Sequence, residues 1–205
     1  MTSVKRKNMN IHFQIYMISF HTLLLSFPIC GRSMHSRKGT RERPRSFLGV
    51  IDKGNTSIVA DMIAEATGAD LFEILPEKDY YPYTYDALTD IAMQELRANA
   101  RPAYQKEELP NLSQYSTIFI GAPVWWGDWP MIMYTFFENE DLSGKALIPF
   151  STHEGSGLSG FDKKLSAAVL GAEVLTGLAI RGNDTQNHQD AVKSTVNDWL
   201  SKLGY

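Results

Sequence analysis

The 205-residue chain is poor in the residues that covalent and metal-based sites require. It has one cysteine, Cys30, which excludes a disulfide within the chain and a cysteine zinc cluster. Its five histidines show no spacing typical of metal ligands. There is no Gly-x-Ser-x-Gly segment, so the nucleophile turn of a serine hydrolase is not predicted and His153 is interpreted as a loop residue. The sequence thus predicts neither a metal site nor a catalytic side chain.

The chain also lacks a basic face over most of its length. Residues 47–205 carry eleven Lys or Arg against twenty-two Asp or Glu, whereas residues 1–46 carry nine basic residues against one acid, Glu42. Nucleic-acid binding needs a basic surface that neutralises phosphates. The acidic part of the chain is therefore not expected to bind nucleic acid.

Residues 1–46 form a separate segment that is basic and apolar. A basic start precedes an apolar stretch at residues 11–30, and a second basic cluster covers residues 32–45. This order resembles a signal peptide or a single membrane span, but polar residues interrupt the apolar stretch. The segment is predicted to be divergent, disordered or wrongly translated. We expect a cytoplasmic protein without membrane association, and export or anchoring through residues 1–30 is the alternative.

From residue 47 onward, apolar runs alternate with segments of helical periodicity. Strands are predicted at residues 69–75, 117–120, 146–150 and 174–180, and helices at residues 57–67, 86–98, 131–138, 161–169 and 188–203. Such alternation predicts an α/β domain whose parallel sheet is covered on both faces. Ligands of these sheets lie at the carboxyl ends of the strands.

Three loops at predicted strand ends carry the chemistry of interest. Gly54, Asn55 and Thr56 open a helix, whose free N–H groups favour an anion such as phosphate. Residues 121–129 form a turn that contains three of the four tryptophans, and these indoles are either packed beneath the turn or offer a surface on which a flat ring can stack. Residues 151–157 are rich in hydroxyls and glycines. Together the loops describe a pocket for a phosphate joined to a planar ring.

The three motifs Gly-Asn-Thr, Pro-Val-Trp-Trp-Gly and Thr-His-Glu-Gly-Ser-Gly resemble the FMN-binding loops of the flavodoxin family, in its branch of small oxidoreductases. The resemblance covers about residues 47–205. It implies a doubly wound, flavodoxin-like sheet of five parallel strands in the order 2-1-3-4-5. It also implies FMN as the cofactor, since flavin supplies the redox chemistry and the protein supplies position.

The resemblance assigns a part of FMN to each loop. Gly54, Asn55 and Thr56 would bind the phosphate. The second loop would line the isoalloxazine, with Trp125 or Trp126 stacked on it, through Pro123, Val124, Trp125, Trp126 and Gly127. The third loop would surround the ring and the ribityl chain through Thr152, His153, Gly155, Ser156 and Gly157.

The chain departs from the family at the first strand, which should end in a serine of the phosphate site. Nothing comparable stands directly before Gly54. Ser36 is the candidate serine if a long insertion separates it from Gly54, and residues 23–29 are the better apolar candidate for the strand.

Three functions follow from this interpretation. The first is an FMN-dependent enzyme that passes electrons from NAD(P)H to a small acceptor such as a quinone. The second is an electron carrier that docks other redox proteins, for which an acidic surface is suited. The third is a protein without flavin, whose first strand no longer completes the site.

Overall fold

The computed structural model describes residues 13–17, 53–77, 80–82, 84–106 and 109–205. A short 3-10 helix at Leu112–Gln114 precedes the third strand. The strands and helices of the described residues follow one another as β1 (Phe13–Met17), α1 (Asn55–Thr67), β2 (Asp70–Glu73), α2 (Tyr85–Ala98), β3 (Thr117–Pro123), α3 (Met131–Asn139), β4 (Ala146–His153), α4 (Phe161–Ala168), β5 (Glu173–Val174), β6 (Leu178–Arg181), α5 (Gly182–Asn187) and α6 (Gln189–Leu203).

The described strands form one parallel sheet in the order β2-β1-β3-β4-β5, and β6 also pairs with β4. The predicted α/β class and parallel sheet are confirmed. The prediction of five strands is confirmed only in part, because two short strands, β5 and β6, share the position beside β4.

A bulge opposite Pro149 separates β5 from β6, which both pair with β4 along the same side. Leu147 pairs with Val174, but Phe150, three residues later, pairs with Leu178, four residues later. The strand beside β4 thus contains one extra residue, as in a β-bulge. Proline has no N–H to donate to a ladder, so pairing weakens at this point. The single strand predicted at residues 174–180 is therefore interrupted.

The first strand comes from the N-terminal segment that the charge distribution sets apart. Residues 13–17 pair in parallel with β2 on one side and with β3 on the other. The sheet thus takes its central strand from upstream of the boundary predicted at residue 47, and not from residues 23–29. No Gly, Pro, Asn or Asp occurs between residues 11 and 27, so no turn residue marks this strand within the apolar stretch. Residues 18–52, with Ser36, lie outside the described residues.

Two apolar layers cover the sheet, one on each face. Side chains alternate along β3, so Ile118 and Ile120 pack with α2, α3 and α4, whereas Phe119 packs with α1 and α6. All three side chains are fully buried. A sheet covered in this way can bind ligands only at its ends, and the carboxyl ends of β1, β3 and β4 share one edge with the start of α1. Within the described ranges, no helix combines the length and apolarity that a membrane crossing requires.

Gly121 allows β3 and β4 to pack closely beneath this edge. It pairs with Phe150, and a Cβ atom at residue 121 would overlap the Phe150 ring.

We predict that Gly121→Ala lowers the free energy of unfolding by about 1–3 kcal/mol, since overpacking forces the ring or the strand to move. Urea denaturation of Gly121→Ala, Phe150→Leu and the double variant measures this effect. The double variant should be more stable than the sum of the two single effects, and strict additivity would contradict the explanation.

Candidate functional site

The first turn of α1 presents backbone donors at the carboxyl edge of the sheet. Gly54 is the N-cap and has no side chain with which to cap the helix. The first bond of the helix runs from the Ile58 N–H to the Gly54 carbonyl, at 3.1 Å. The N–H groups of Asn55, Thr56 and Ser57 therefore precede the intrahelical ladder, where the helix dipole favours an anion.

Thr152 joins the three loops to one another. Its hydroxyl lies 2.7 Å from the Thr56 hydroxyl, and both side chains are buried. Its carbonyl accepts the Val124 N–H at 2.9 Å, and Pro123 is its register partner across β3 and β4. The structure thus brings the first, second and third predicted loops together at one residue.

Asn55 has a role that the sequence does not reveal. Its side-chain oxygen accepts hydrogen bonds from the Thr185 hydroxyl at 2.8 Å and the Gln186 amide at 2.6 Å. A Cβ atom at residue 182 would overlap the Asn55 amide, so Gly182 is needed for this close approach. Asn55 therefore holds α5 against the start of α1. No signal in the sequence predicts this partnership across about 130 residues, because residues 182–187 contain no motif.

The tryptophan loop is a two-residue turn held at both ends. The Trp125 N–H and the Asp128 N–H donate to the carbonyls of Asp128 and Trp125, at 2.9 and 3.0 Å. Trp126 and Gly127 have φ angles of 51° and 78°, as a type I′ turn requires. Lys164 donates to the Gly127 carbonyl at 2.7 Å and pairs with Asp128 at 3.1 Å. The turn is therefore fixed to α4 as well as to its own strand end.

The three indoles of this loop have different environments. Trp129 is 1% exposed and stacks on Phe161 with ring centroids 3.6 Å apart, so it is a core residue. Trp125 is half-buried and meets the Tyr81 ring edge-on at 5.4 Å. Trp126 is 55% exposed, although its indole N–H donates to the Thr89 carbonyl at 3.1 Å. An exposed indole on a left-handed backbone is a costly arrangement, and such strain is typical of functional sites.

The predicted third loop is shaped by bonds within itself, but its first three residues, 151–153, are the end of β4 and not a loop. The Gly155 N–H donates to His153 Nδ1 at 2.9 Å, and the Ser151 hydroxyl donates to the Gly157 carbonyl at 3.1 Å. The left-handed φ of 62° at Gly157 suits glycine. Burial lowers the pKa of His153 below its ordinary value, which favours a neutral ring that accepts this bond.

The rest of this loop faces solvent. Ser156 is exposed, and its carbonyl accepts the Ser159 hydroxyl at 3.2 Å. Glu154 is exposed as well and pairs with Arg181 at 3.4 Å.

Three basic side chains near this edge are each paired with an acid. Lys53 pairs with Asp61, in addition to the Lys164–Asp128 and Arg181–Glu154 pairs. A phosphate here would thus be held by the helix N–H groups and hydroxyls rather than by a free cation from the described residues. Together with an aromatic turn beside them, these donors fit FMN. Within the same part of the chain, no group of three or more His, Cys, Asp or Glu residues could hold a metal ion.

Comparison with known proteins places this chain in a family. The family model described as flavodoxin matches residues 50–202. The chain belongs to the flavodoxin family. This confirms the predicted family and fold, while the role of each loop residue stays a prediction.

Solved structures of flavodoxin-like fold agree with this assignment. A protein of Bacteroides uniformis that is assigned as a flavoprotein is 25% identical, with a TM-score of 0.60, covering 91% of this chain and 98% of its own. A similarly assigned protein of Bacteroides eggerthii is 22% identical, with a TM-score of 0.59, covering 89% and 98%. A Lactobacillus acidophilus flavoprotein in complex with FMN is 18% identical, with a TM-score of 0.53, covering 86% and 96%. No curated protein matches this chain by sequence.

The different environments of the indoles predict different costs of removal. Trp129→Ala should lower the free energy of unfolding by about 3–5 kcal/mol, since it leaves a large cavity. Trp126→Ala should cost only about 1 kcal/mol, mainly through the hydrogen bond to Thr89. Thermal and urea denaturation of both variants test this, and equal costs would contradict the assignment of Trp126 as a surface residue.

Proposed function

We propose that this protein is an FMN-dependent oxidoreductase that takes electrons from NAD(P)H and passes them to a small acceptor such as a quinone. The observation that carries the proposal is the convergence of the three loops on Thr152, through its hydroxyl and its carbonyl. Membership of the flavodoxin family and the FMN complex of the Lactobacillus acidophilus protein support FMN as the cofactor.

Each loop has a role in this proposal. The N–H groups of Asn55 and Thr56 would bind the phosphate, and the third loop, Thr152 to Gly157, would contact the ring and the ribityl chain. The exposed face of Trp126 would stack on the isoalloxazine, because Trp125 already packs against Tyr81. Bound FMN supplies hydride and electron transfer. The chain would position FMN and cover one side of its ring with a turn that Lys164 holds in place.

An electron carrier is the second candidate, and the acidic surface favours it. Residues 47–205 contain twice as many acidic as basic residues, which suits docking to a basic redox partner. An enzyme and a carrier differ in one property, since a carrier needs a separate reductase to oxidise NAD(P)H.

The test is therefore made in two steps on the purified full-length chain. The visible spectrum after FMN addition and desalting, with mass identification of the released cofactor, shows whether flavin is retained. The holoprotein is then mixed with NADH or NADPH and a soluble quinone. Steady oxidation supports the enzyme, a flavin that stays oxidised supports the carrier, and a colourless protein overturns both proposals in favour of the form without flavin.

The junction of the loops gives a sharper test of the FMN site. Thr152→Val keeps the shape of the side chain but leaves the buried Thr56 hydroxyl without this partner. We expect the Kd for FMN to rise roughly tenfold, since the Thr56 hydroxyl would no longer be positioned to bind the phosphate, and one such hydrogen bond is worth about 1–2 kcal/mol. Thr195→Val on the exposed face of α6 is the matched control and should leave the Kd unchanged. Equal affinities of the two variants would contradict the placement of FMN at Thr152.

A further inference from the structure

Glu95 is a carboxyl group buried behind the tryptophan turn. It is 4% exposed and lies on the inner face of α2 with Leu88 and Ala92, which are also buried. This spacing of four and three residues is that of a core-facing helical stripe, where an acid is unusual. A carboxyl at such a position is costly unless its oxygens are satisfied or its charge is removed.

Within the described residues, only one oxygen of this carboxyl has a partner at hydrogen-bond distance, although the Tyr80 hydroxyl also faces the group. Glu95 Oε2 accepts the Tyr81 hydroxyl at 3.1 Å, whereas Oε1 is buried and makes no hydrogen bond. None of the ion pairs among these residues includes Glu95. An unpaired oxygen without a countercharge fits a neutral carboxylic acid better than a carboxylate.

Aromatic contacts link this acid to the candidate flavin site. Tyr81 is 7% exposed and lies edge-on to Trp125 on one side and to Tyr80 on the other, at 5.4 and 4.8 Å between ring centroids. The indole N–H of Trp126 binds the Thr89 carbonyl of the same helix α2. These contacts join α2, the two tyrosines and the turn. We call the side chains of Tyr80, Tyr81, Trp125 and Trp126 the aromatic wall.

We propose that Glu95 is a positioning residue of this site: as a neutral acid it stays dry and leaves Tyr81 packed against Trp125, whereas its ionisation draws water to Oε1 and loosens the aromatic wall. This rests on the proposed function only in assigning the wall to FMN. A charge at Glu95 needs water at Oε1, and we expect Tyr80 to move and admit it, because its hydroxyl faces this carboxyl and its side chain is partly exposed. The proposal thus links a protonation step to the shape of the flavin site.

The groups that face Glu95 support this direction. Among the described residues these are the hydroxyls of Tyr80 and Tyr81, and neither is a cation. Burial raises the pKa of Glu95 above the usual range, and the two hydroxyls oppose this rise only in part. Burial also raises the pKa of Tyr80 to about 12 and raises the pKa of Tyr81, so both tyrosines stay neutral while Glu95 titrates.

The test follows the four indoles separately. The protein is labelled with 5-fluorotryptophan, its lines are assigned by single Trp→Phe variants, and the spectrum is recorded against pH without FMN. The Trp125 line of the wild type should shift with a midpoint above the usual range of a glutamate. In Glu95→Gln, which mimics the neutral acid, this shift should be lost. The Trp199 line is the internal control, because that residue packs on the opposite face of the sheet.

Tyr81→Phe and Asp90→Asn make the assignment specific. Loss of the Tyr81 hydroxyl removes a bond that favours the charged acid, so the midpoint should move to higher pH. Asp90→Asn alters an exposed carboxyl of the same helix and should leave the midpoint unchanged. A Trp125 titration that persists in Glu95→Gln, or one that moves to lower pH in Tyr81→Phe, would overturn the proposal. If Glu95→Gln does not fold, the Tyr81→Phe comparison decides alone.

FMN titrations separate this inference from the proposed function. The Kd of the wild type should rise several-fold as the pH passes the Trp125 midpoint, beyond any change that Glu95→Gln shows. Failure of the wild type to bind FMN at any pH would reject the FMN site, while the fluorine spectra would still decide the role of Glu95. Binding with identical pH profiles in the two proteins would reject the role of Glu95 toward FMN and leave the FMN site intact.

Discussion

Parallel pairing of β3 with β4 is the constraint on which the candidate site depends. The two strands pair over seven residues, from Thr117 with Ala146 to Pro123 with Thr152. Because both strands run the same way and are buried on both faces, their loops must leave at one edge. Two residue pairs before that edge, the Phe150 ring packs directly on Gly121, which leaves no room for a side chain at residue 121. At the edge itself, the Thr152 carbonyl accepts the Val124 N–H, and the Thr152 hydroxyl bonds to the Thr56 hydroxyl.

The edge separates groups that support the site from groups that face a ligand. Trp129 anchors the aromatic turn in the core, and Lys164 of α4 holds the turn through the Gly127 carbonyl and the Asp128 carboxylate. Trp126 is left exposed on a strained backbone by the same turn. Buried aromatic packing therefore supplies the rigidity that a stacking surface needs, and the strain at one residue is offset by the contacts around it.

Glu95, the buried acid behind the aromatic wall, is not explained by the stability of the fold. A helix whose only task was to cover the sheet would carry an apolar residue at position 95, because a buried carboxyl with a free oxygen is destabilising. Glu95 instead contacts the ring that supports Trp125. On our proposal, the packing of the candidate site depends on whether Glu95 carries a proton.

The sequence alone predicted the α/β class and the three loops of the candidate site from local patterns, and the likeness of these loops to known FMN-binding loops predicted the family. Alternating apolar runs mark buried strands, and Gly-Asn-Thr and Pro-Val-Trp-Trp-Gly are short motifs with their own backbone geometry. The buried acid Glu95 was not predicted from the sequence, because its exclusion from water depends on the tertiary packing around α2. Only the tertiary structure decided which indole is core and which is exposed. It also decided that Asn55 holds α5, that residues 13–17 supply the central strand, and that Thr152 joins the loops. Each of these rests on contacts between residues far apart in the chain, for which no local pattern carries a signal.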